Sequence, residues 1–186
     1  MIAQQQTDFN CQYAPDFELP GIDGQVHHLG NYLEEHGKNL QLVGVVFMCN
    51  HCPYVNEYIE TLRAIQEEFA SQGFTLIGIN PNDEQQIPED SFERMKNFAQ
   101  QKHLNFPYLR DASQDVAKCF QARTTPEAFL IDKQGIVRYT GRIDSNPESS
   151  IREQKSYLYQ AIAALLSGKE APVSSTEVSG SPIIWH

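Results

Sequence analysis

The chain is poor in basic side chains, in cysteine and in long apolar runs, and each shortage excludes a class of function. Fourteen Lys and Arg stand against twenty-four Asp and Glu, a net charge of −10, and such a surface repels both nucleic acid and anionic membranes. No apolar stretch approaches the ~20 residues that a bilayer-spanning helix needs. Four cysteines in 186 residues are too sparse for a disulfide-stapled secreted scaffold. The opening residues MIAQQQTDFN carry neither a basic region nor an apolar one, so a secretory signal is not expected and the expected location is cytoplasmic. A chain of this length buries a substantial core as one domain, which leaves its cysteines free for chemistry. No cofactor is expected.

What is present is a close pair of thiols. Cys49-Asn50-His51-Cys52 is followed at once by Pro53, between the apolar run LQLVGVVFM over 40–48 and a helical pattern over 54–70. The run reads as a buried strand, and Val55, Tyr58, Ile59, Leu62, Ile65 and Phe69 recur at the spacing of one helix face. Pro is favoured at the first helical position, where its missing N–H costs nothing, so Pro53 makes Cys52 the N-cap. A thiol there faces unpaired N–H groups, of Tyr54 or Val55, at the positive end of the helix dipole. Both effects favour thiolate. Cys49 lies before the helix and lacks those donors. Cys52 is therefore expected to attack and Cys49 to resolve, across a turn short enough for a disulfide.

Two other readings of the same residues stand beside this one. The cysteines are buried and inert, or Cys49, His51 and Cys52 join His27 or His28 as metal ligands, although no second CxxC or HxxxH is present. Cys119, beside Val116 and Phe120, reads as core, and Cys11 lies in a polar N-terminal stretch.

Along the rest of the chain, Phe17 to Leu29 reads as a β-hairpin around Gly21-Ile22-Asp23-Gly24. A strand is expected over 74–79 after a Gly73 helix stop, then a helix to about Lys102 opened by a capping box of Asp90 and Glu93. A short strand over 106–109 and a short helix over 113–120 precede a hairpin of 128–132 and 136–140. A last helix, capped by Ser150 and Glu153 and carrying Ile151, Leu158, Ile162 and Leu165, ends before Gly168. The expected organisation is a flexible 1–13, one domain over 14–168 and a docked tail over 169–186 held by Ile184 and Trp185. This order implies an α/β fold, a central mixed sheet covered on both faces.

Several stretches together resemble the thioredoxin-fold redoxins: Ala14-Pro15-Asp16-Phe17-Glu18-Leu19, Asp23-Gly24, Cys49 to Val55, Thr124 to Asp132, and Gly141-Arg142-Ile143-Asp144. The nearest group is the peroxiredoxin-like proteins with a CNHCPYV signature, related to alkyl hydroperoxide reductase and thiol-specific antioxidant. The resemblance implies a thioredoxin-like fold with an N-terminal β-hairpin, and a cis-proline loop at Thr125-Pro126 that faces the cysteines and pairs with substrate. It implies a thiol–disulfide oxidoreductase or, alternatively, a thiol peroxidase reducing hydroperoxides through Cys52. Partners would be a protein or small-molecule disulfide or a hydroperoxide, with a thioredoxin or glutathione system as reductant. A metal-binding or non-enzymatic interaction protein is the reading from another class.

The departures from those families are specific. Counted from Phe47, Cys52 stands where the attacking thioredoxin cysteine would, and Val55 replaces the second one, so Cys49 reverses the usual order. The peroxiredoxin pattern PxxxTxxC would need Pro at Val45 and Thr at Cys49, and alignment of Phe129-Leu130-Ile131-Asp132 on the corresponding peroxiredoxin strand places Pro126 where the active-site Arg would be, with Arg123 nearby. His51 is expected to favour the adjacent thiolate. Ser181 stands where the similar tail commonly has Cys.

Overall fold

A computed structural model describes residues 13–33, 40–144 and 156–186. In chain order its strands are β1 (Glu18–Pro20), β2 (Val26–His28), β3 (Leu42–Phe47), β4 (Phe74–Asn80), β5 (Tyr108–Arg110), β6 (Thr124–Thr125), β7 (Glu127–Asp132), β8 (Val137–Gly141) and β9 (Ser181–Pro182). The helices are α1 (Leu29–Leu33), α2 (Pro53–Phe69), α3 (Phe92–Gln101), α4 (Asp115–Phe120) and α5 (Tyr157–Leu166). Five strands form the central sheet in the order β5-β4-β3-β7-β8. β3, β4 and β5 run parallel, and β7 and β8 complete the sheet antiparallel, so it is mixed as expected.

β3 is the hub, and all six of its residues are buried. Alternate side chains leave a strand on opposite faces. Val43, Val45 and Phe47 join Phe120, Phe129 and Leu29 in one core, while Leu42, Val46 and Met48 join α2, α3 and α5 in the other. Gly44 sits between them because a Cβ there would lie 2.8 Å from Leu76 Cδ2. In α2 the expected face is the buried one, from Val55 to Phe69. Burying Leu62 or Ile65 stabilises the fold by about 1.5–3 kcal/mol each. Gly73, at φ 85°, closes the turn after α2 in the left-handed conformation that glycine adopts without a Cβ penalty.

The hairpin β1–β2 pairs Leu19 with His27 and bridges to the sheet edge through Gly21 and Leu109. Leu29, expected to extend the second strand, instead opens α1, whose five residues are too few to show a helical period. β5 begins at Tyr108, two residues later than expected, because Pro107 has no N–H for a ladder. The Asp90–Glu93 capping box does not form: Ser91 is the N-cap of α3, and the Asp90 carboxyl group is used elsewhere. Ser156 caps α5, its hydroxyl accepting from the Tyr159 N–H at 3.1 Å. The expected cap at Ser150 and Glu153, with Ile151, lies outside the described residues, as does Cys11.

Two further expectations are corrected. Cys119 is exposed, because on the short α4 the buried positions Ala117 and Phe120 lie three apart and Cys119 falls off that face. The tail docks through Ile183, which is buried, while Ile184 is only partly covered and Trp185 is 37% exposed. At Ile184 the backbone does the holding: its N–H donates to Asn82 Oδ1, and its carbonyl accepts from Asp83 N and Gln114 Nε2.

Candidate active site

The end of β3 delivers Met48 and Cys49 to the sheet's rim, and the chain turns through Asn50 and His51 into α2. Cys52 is the N-cap, with φ −68° and ψ 122°, and Pro53 is the first helical residue. Beneath the turn lies Asp90, wholly buried. Its Oδ1 accepts from Asn50 N at 2.6 Å and Asn80 Nδ2 at 3.3 Å. Its Oδ2 accepts from His51 Nδ1 at 2.6 Å and Asn82 Nδ2 at 2.9 Å. The Asn50 side chain donates to the Glu89 carbonyl and accepts from the Tyr108 hydroxyl. Asn56, one turn into α2, donates to the carbonyls of Cys52 and Asn50. The turn is thus pinned from α2, β5 and the loop after β4.

Facing it is the loop before β7, with a cis peptide at Thr125-Pro126, as the resemblance implies. Thr125 Oγ1 lies 3.2 Å from Cys49 Sγ, and the Thr125 carbonyl oxygen 3.1 Å from Cys52 Sγ. Buried Glu127 fastens this loop by accepting from the N–H groups of Arg123 and Thr124. Burial holds the Glu127 carboxyl group above its ordinary pKa. The Arg123 side chain is largely exposed, and its guanidinium lies 3.8 Å from a Glu127 carboxylate oxygen.

Both cysteines are free thiols and fully buried. Hydrogen bonding from the Cys49 thiol, followed by that of the Ser181 hydroxyl, lowers the Cys52 pKa to about 4 against the opposing effect of burial. Cys49 moves the other way: as the donor to that sulfur, in a buried place near Asp90, it holds its proton well beyond the ordinary thiol range. Cys52 is the more acidic thiol, as expected, but the main cause is not the expected one. The Cys52 side chain makes no capping hydrogen bond to the first turn of α2. The Val55 N–H still favours the thiolate, but after Cys49 and Ser181.

His51 is placed by its bond to Asp90 rather than by the sulfur of Cys52. The metal set suggested by sequence does not assemble: His27 bonds Tyr32 and Asp23, and His28 lies 3.7 Å from Glu18. Ligand atoms of Cys49, His51 and Asp90 do lie within 4.8 Å of one another. The two oxygens of Asp90 already accept four N–H bonds, however, and an ion would have to displace them. Asp90, Asn80, Asn82 and Tyr108 were not expected at the site. No periodicity points to them, since each reaches the turn from a different element.

The family model of the AhpC/TSA family matches residues 11–140, which spans the hairpin, both thiols and the cis-proline loop. The chain belongs to the AhpC/TSA family. Among its relatives, the thiol-disulfide oxidoreductase ResA of Geobacillus kaustophilus is 30% identical over 125 residues, covering 67% of this chain and 64% of the relative. The chain therefore spans less than two thirds of the length of that relative. The thiol:disulfide interchange protein DsbE of Escherichia coli is 28% identical over 136 residues, 72% of this chain and 65% of that one. Among solved structures, an uncharacterised conserved protein of Geobacillus kaustophilus superposes with a TM-score of 0.85 at 32% identity, covering 95% of this chain and 92% of that one. The peroxidoxin BcpB of Mycobacterium tuberculosis shares the fold, with a TM-score of 0.62 at 21% identity over 86% of this chain and 96% of that one.

Ser181 lies beyond the stretch that the AhpC/TSA family model matches, yet its Oγ is 3.2 Å from Cys52 Sγ although the two are 129 positions apart. A hydroxyl donates to a thiolate and so stabilises it. Ser181→Ala is expected to raise the pH midpoint of thiolate formation by roughly one unit, the size of one charge-assisted hydrogen bond. Thiolate absorbance across a pH series measures it, and an unmoved midpoint rejects the role.

Proposed function

We propose that the chain is a thiol–disulfide oxidoreductase in which Cys52 attacks and Cys49 resolves. The observation that carries this reading is the lowered Cys52 thiol, held by the Cys49 thiol and the Ser181 hydroxyl. The Cys52 thiolate attacks one sulfur of a substrate disulfide and displaces the other as a thiolate. The mixed disulfide removes the charge that kept Cys49 protonated. Cys49 then gives up its proton, and the Cys49 thiolate attacks Cys52 Sγ. The second substrate thiolate departs and is protonated. The substrate disulfide becomes two thiols and the protein dithiol becomes a disulfide, which an external dithiol reductant resets. Thr125 and Pro126 form the wall against which the substrate lies. A cytoplasmic location is part of this proposal, and trapping the in-cell thiol state by rapid alkylation tests it.

In a Cys11→Ser, Cys119→Ser background, Cys52→Ser is expected to abolish exchange, whereas Cys49→Ser accumulates the mixed disulfide on Cys52. Mass spectrometry of the quenched reaction distinguishes the two. Exchange undiminished in Cys52→Ser rejects the proposal.

Membership of the AhpC/TSA family supports a second reading, hydroperoxide reduction. Cys52 thiolate would attack the O–O bond and become sulfenic acid as water or an alcohol departs, and Cys49 would condense with it, releasing water. Stopped-flow oxidation by hydrogen peroxide at the rate of an ordinary thiol excludes it.

A further inference from the structure

Cys52 is fully buried although it begins a helix, and Ser181 of β9 lies against its sulfur at 3.2 Å, beside the Thr125 carbonyl oxygen. β9 pairs antiparallel with β6, Ser181 opposite Thr125 and Pro182 opposite Thr124. An unpaired strand edge beside a reactive sulfur is where an extended peptide adds, because its backbone groups are free to pair. Here those groups are already engaged.

The covering strand is anchored on both sides. Beyond it, Ile183 is buried and its N–H donates to the Arg123 carbonyl. The Trp185 carbonyl accepts from Gln86, and the His186 N–H donates to Gln114. Before it, Thr176 N donates to Thr140 O, and the Thr176 hydroxyl accepts from Arg142 N. Gly180 approaches so closely that a Cβ there would lie 2.4 Å from the Thr125 carbonyl oxygen. A peptide seeking the β6 edge must evict this whole strand. A small disulfide has no backbone to pair with β6, so it needs only the partly exposed Ser181 side chain beside Cys52 to turn aside, with β9 left in place.

We propose that β9 is a built-in specificity element, which fills the strand edge beside Cys52 so that the site takes low-molecular-weight disulfides and excludes disulfides carried on extended polypeptide. This rests on the exchange activity proposed above. With such a substrate, Cys52 displaces one small thiolate, Cys49 displaces the second, and both leave protonated.

The test compares the reduced full chain with bis(2-hydroxyethyl) disulfide and with a decapeptide dimer joined through a central cysteine, each rate divided by that of free dithiothreitol with the same disulfide. The corrected rate with the small disulfide is expected to be at least about tenfold higher, a difference of ~1.4 kcal/mol in barrier. Gly180→Ala adds a methyl group against the Thr125 backbone and lifts β9, so the peptide rate should rise by about the same factor and the preference should shrink. Equal corrected rates in the full chain overturn the proposal, and need no variant to fold. So does a folded Gly180→Ala protein whose Cys52 is alkylated by iodoacetamide faster than in the parent while the peptide rate stays unchanged. Failure to react with either disulfide removes the exchange activity itself, a different result from equal rates with both.

Discussion

Alkylation of Cys52 by iodoacetamide is expected to be half-maximal at a pH of about 4 and flat through neutrality. An ordinary thiol gains reactivity up to its pKa of ~8.5. The same shift makes a prediction for stability. Between about 4 and the ordinary thiol value, the folded chain has lost the Cys52 proton and the unfolded chain retains it. The unfolded state binds one proton more at this site, so stability rises with pH by ~1.4 kcal/mol per unit across that window. The contribution is complete above the ordinary thiol value and is lost as pH falls through the folded value. Cys49 acts above that range in the opposite sense: the folded state keeps a proton that the unfolded state has released, and stability falls again. Subtraction of the Cys52→Ser curve removes the other titrating groups. Urea midpoints of both reduced proteins across a pH series measure the difference, and a pH-independent difference would falsify the thiolate assignment.

Asp90→Ala is expected to be the most damaging single change near the site. Four N–H donors converge on this buried carboxyl group: Asn50 N, His51 Nδ1, Asn80 Nδ2 and Asn82 Nδ2. Removing it leaves buried donors unpaired and opens a void, a loss on the order of 3–5 kcal/mol. For a chain of this size that lowers Tm by roughly 10 °C. Asp90→Asn keeps one acceptor oxygen and turns an NH2 group towards two of the donors, so it should fall between the variant and the parent. The functional readout is separate. With the turn unpinned, the Cys49 thiol no longer holds its place beside Cys52, and the alkylation midpoint of Cys52 moves up. Thermal unfolding within about 1 °C of the parent protein would show that the carboxyl group does not organise the turn.

Much of the frame was legible in the residues. β3 announces itself because both its faces are covered, which yields a continuous apolar run, and α2 because one face is buried at the helical repeat. Pro53 and the two cysteines mark the strand-to-helix turn, since a proline at the first helical position is a local signal. The cis-proline loop was legible through likeness to the thioredoxin-fold redoxins, not through any property of Thr125 and Pro126 alone. Asp90 shows why a local signal misleads: followed by Glu93 it has the pattern of a capping box, yet its carboxyl group serves a turn some forty residues earlier in the chain. Ser91, the residue beside it, takes the cap.

By itself the sequence determined the longer elements, the mixed α/β architecture and the position of the two thiols at a helix start. These depend on contacts within a few residues or on repeats of two and 3.6, which a linear string displays. Only the tertiary structure decided what surrounds the sulfurs. His51 meets Asp90 across 39 positions, Cys52 meets Thr125 across 73 and Ser181 across 129. Such contacts carry no period, because each is set by how separate elements pack around the sheet. Helix position alone would make Cys52 only somewhat acidic. The Cys49 thiol and the Ser181 hydroxyl, brought against it by the fold, account for most of its shift, and the strand that carries Ser181 closes the edge beside it.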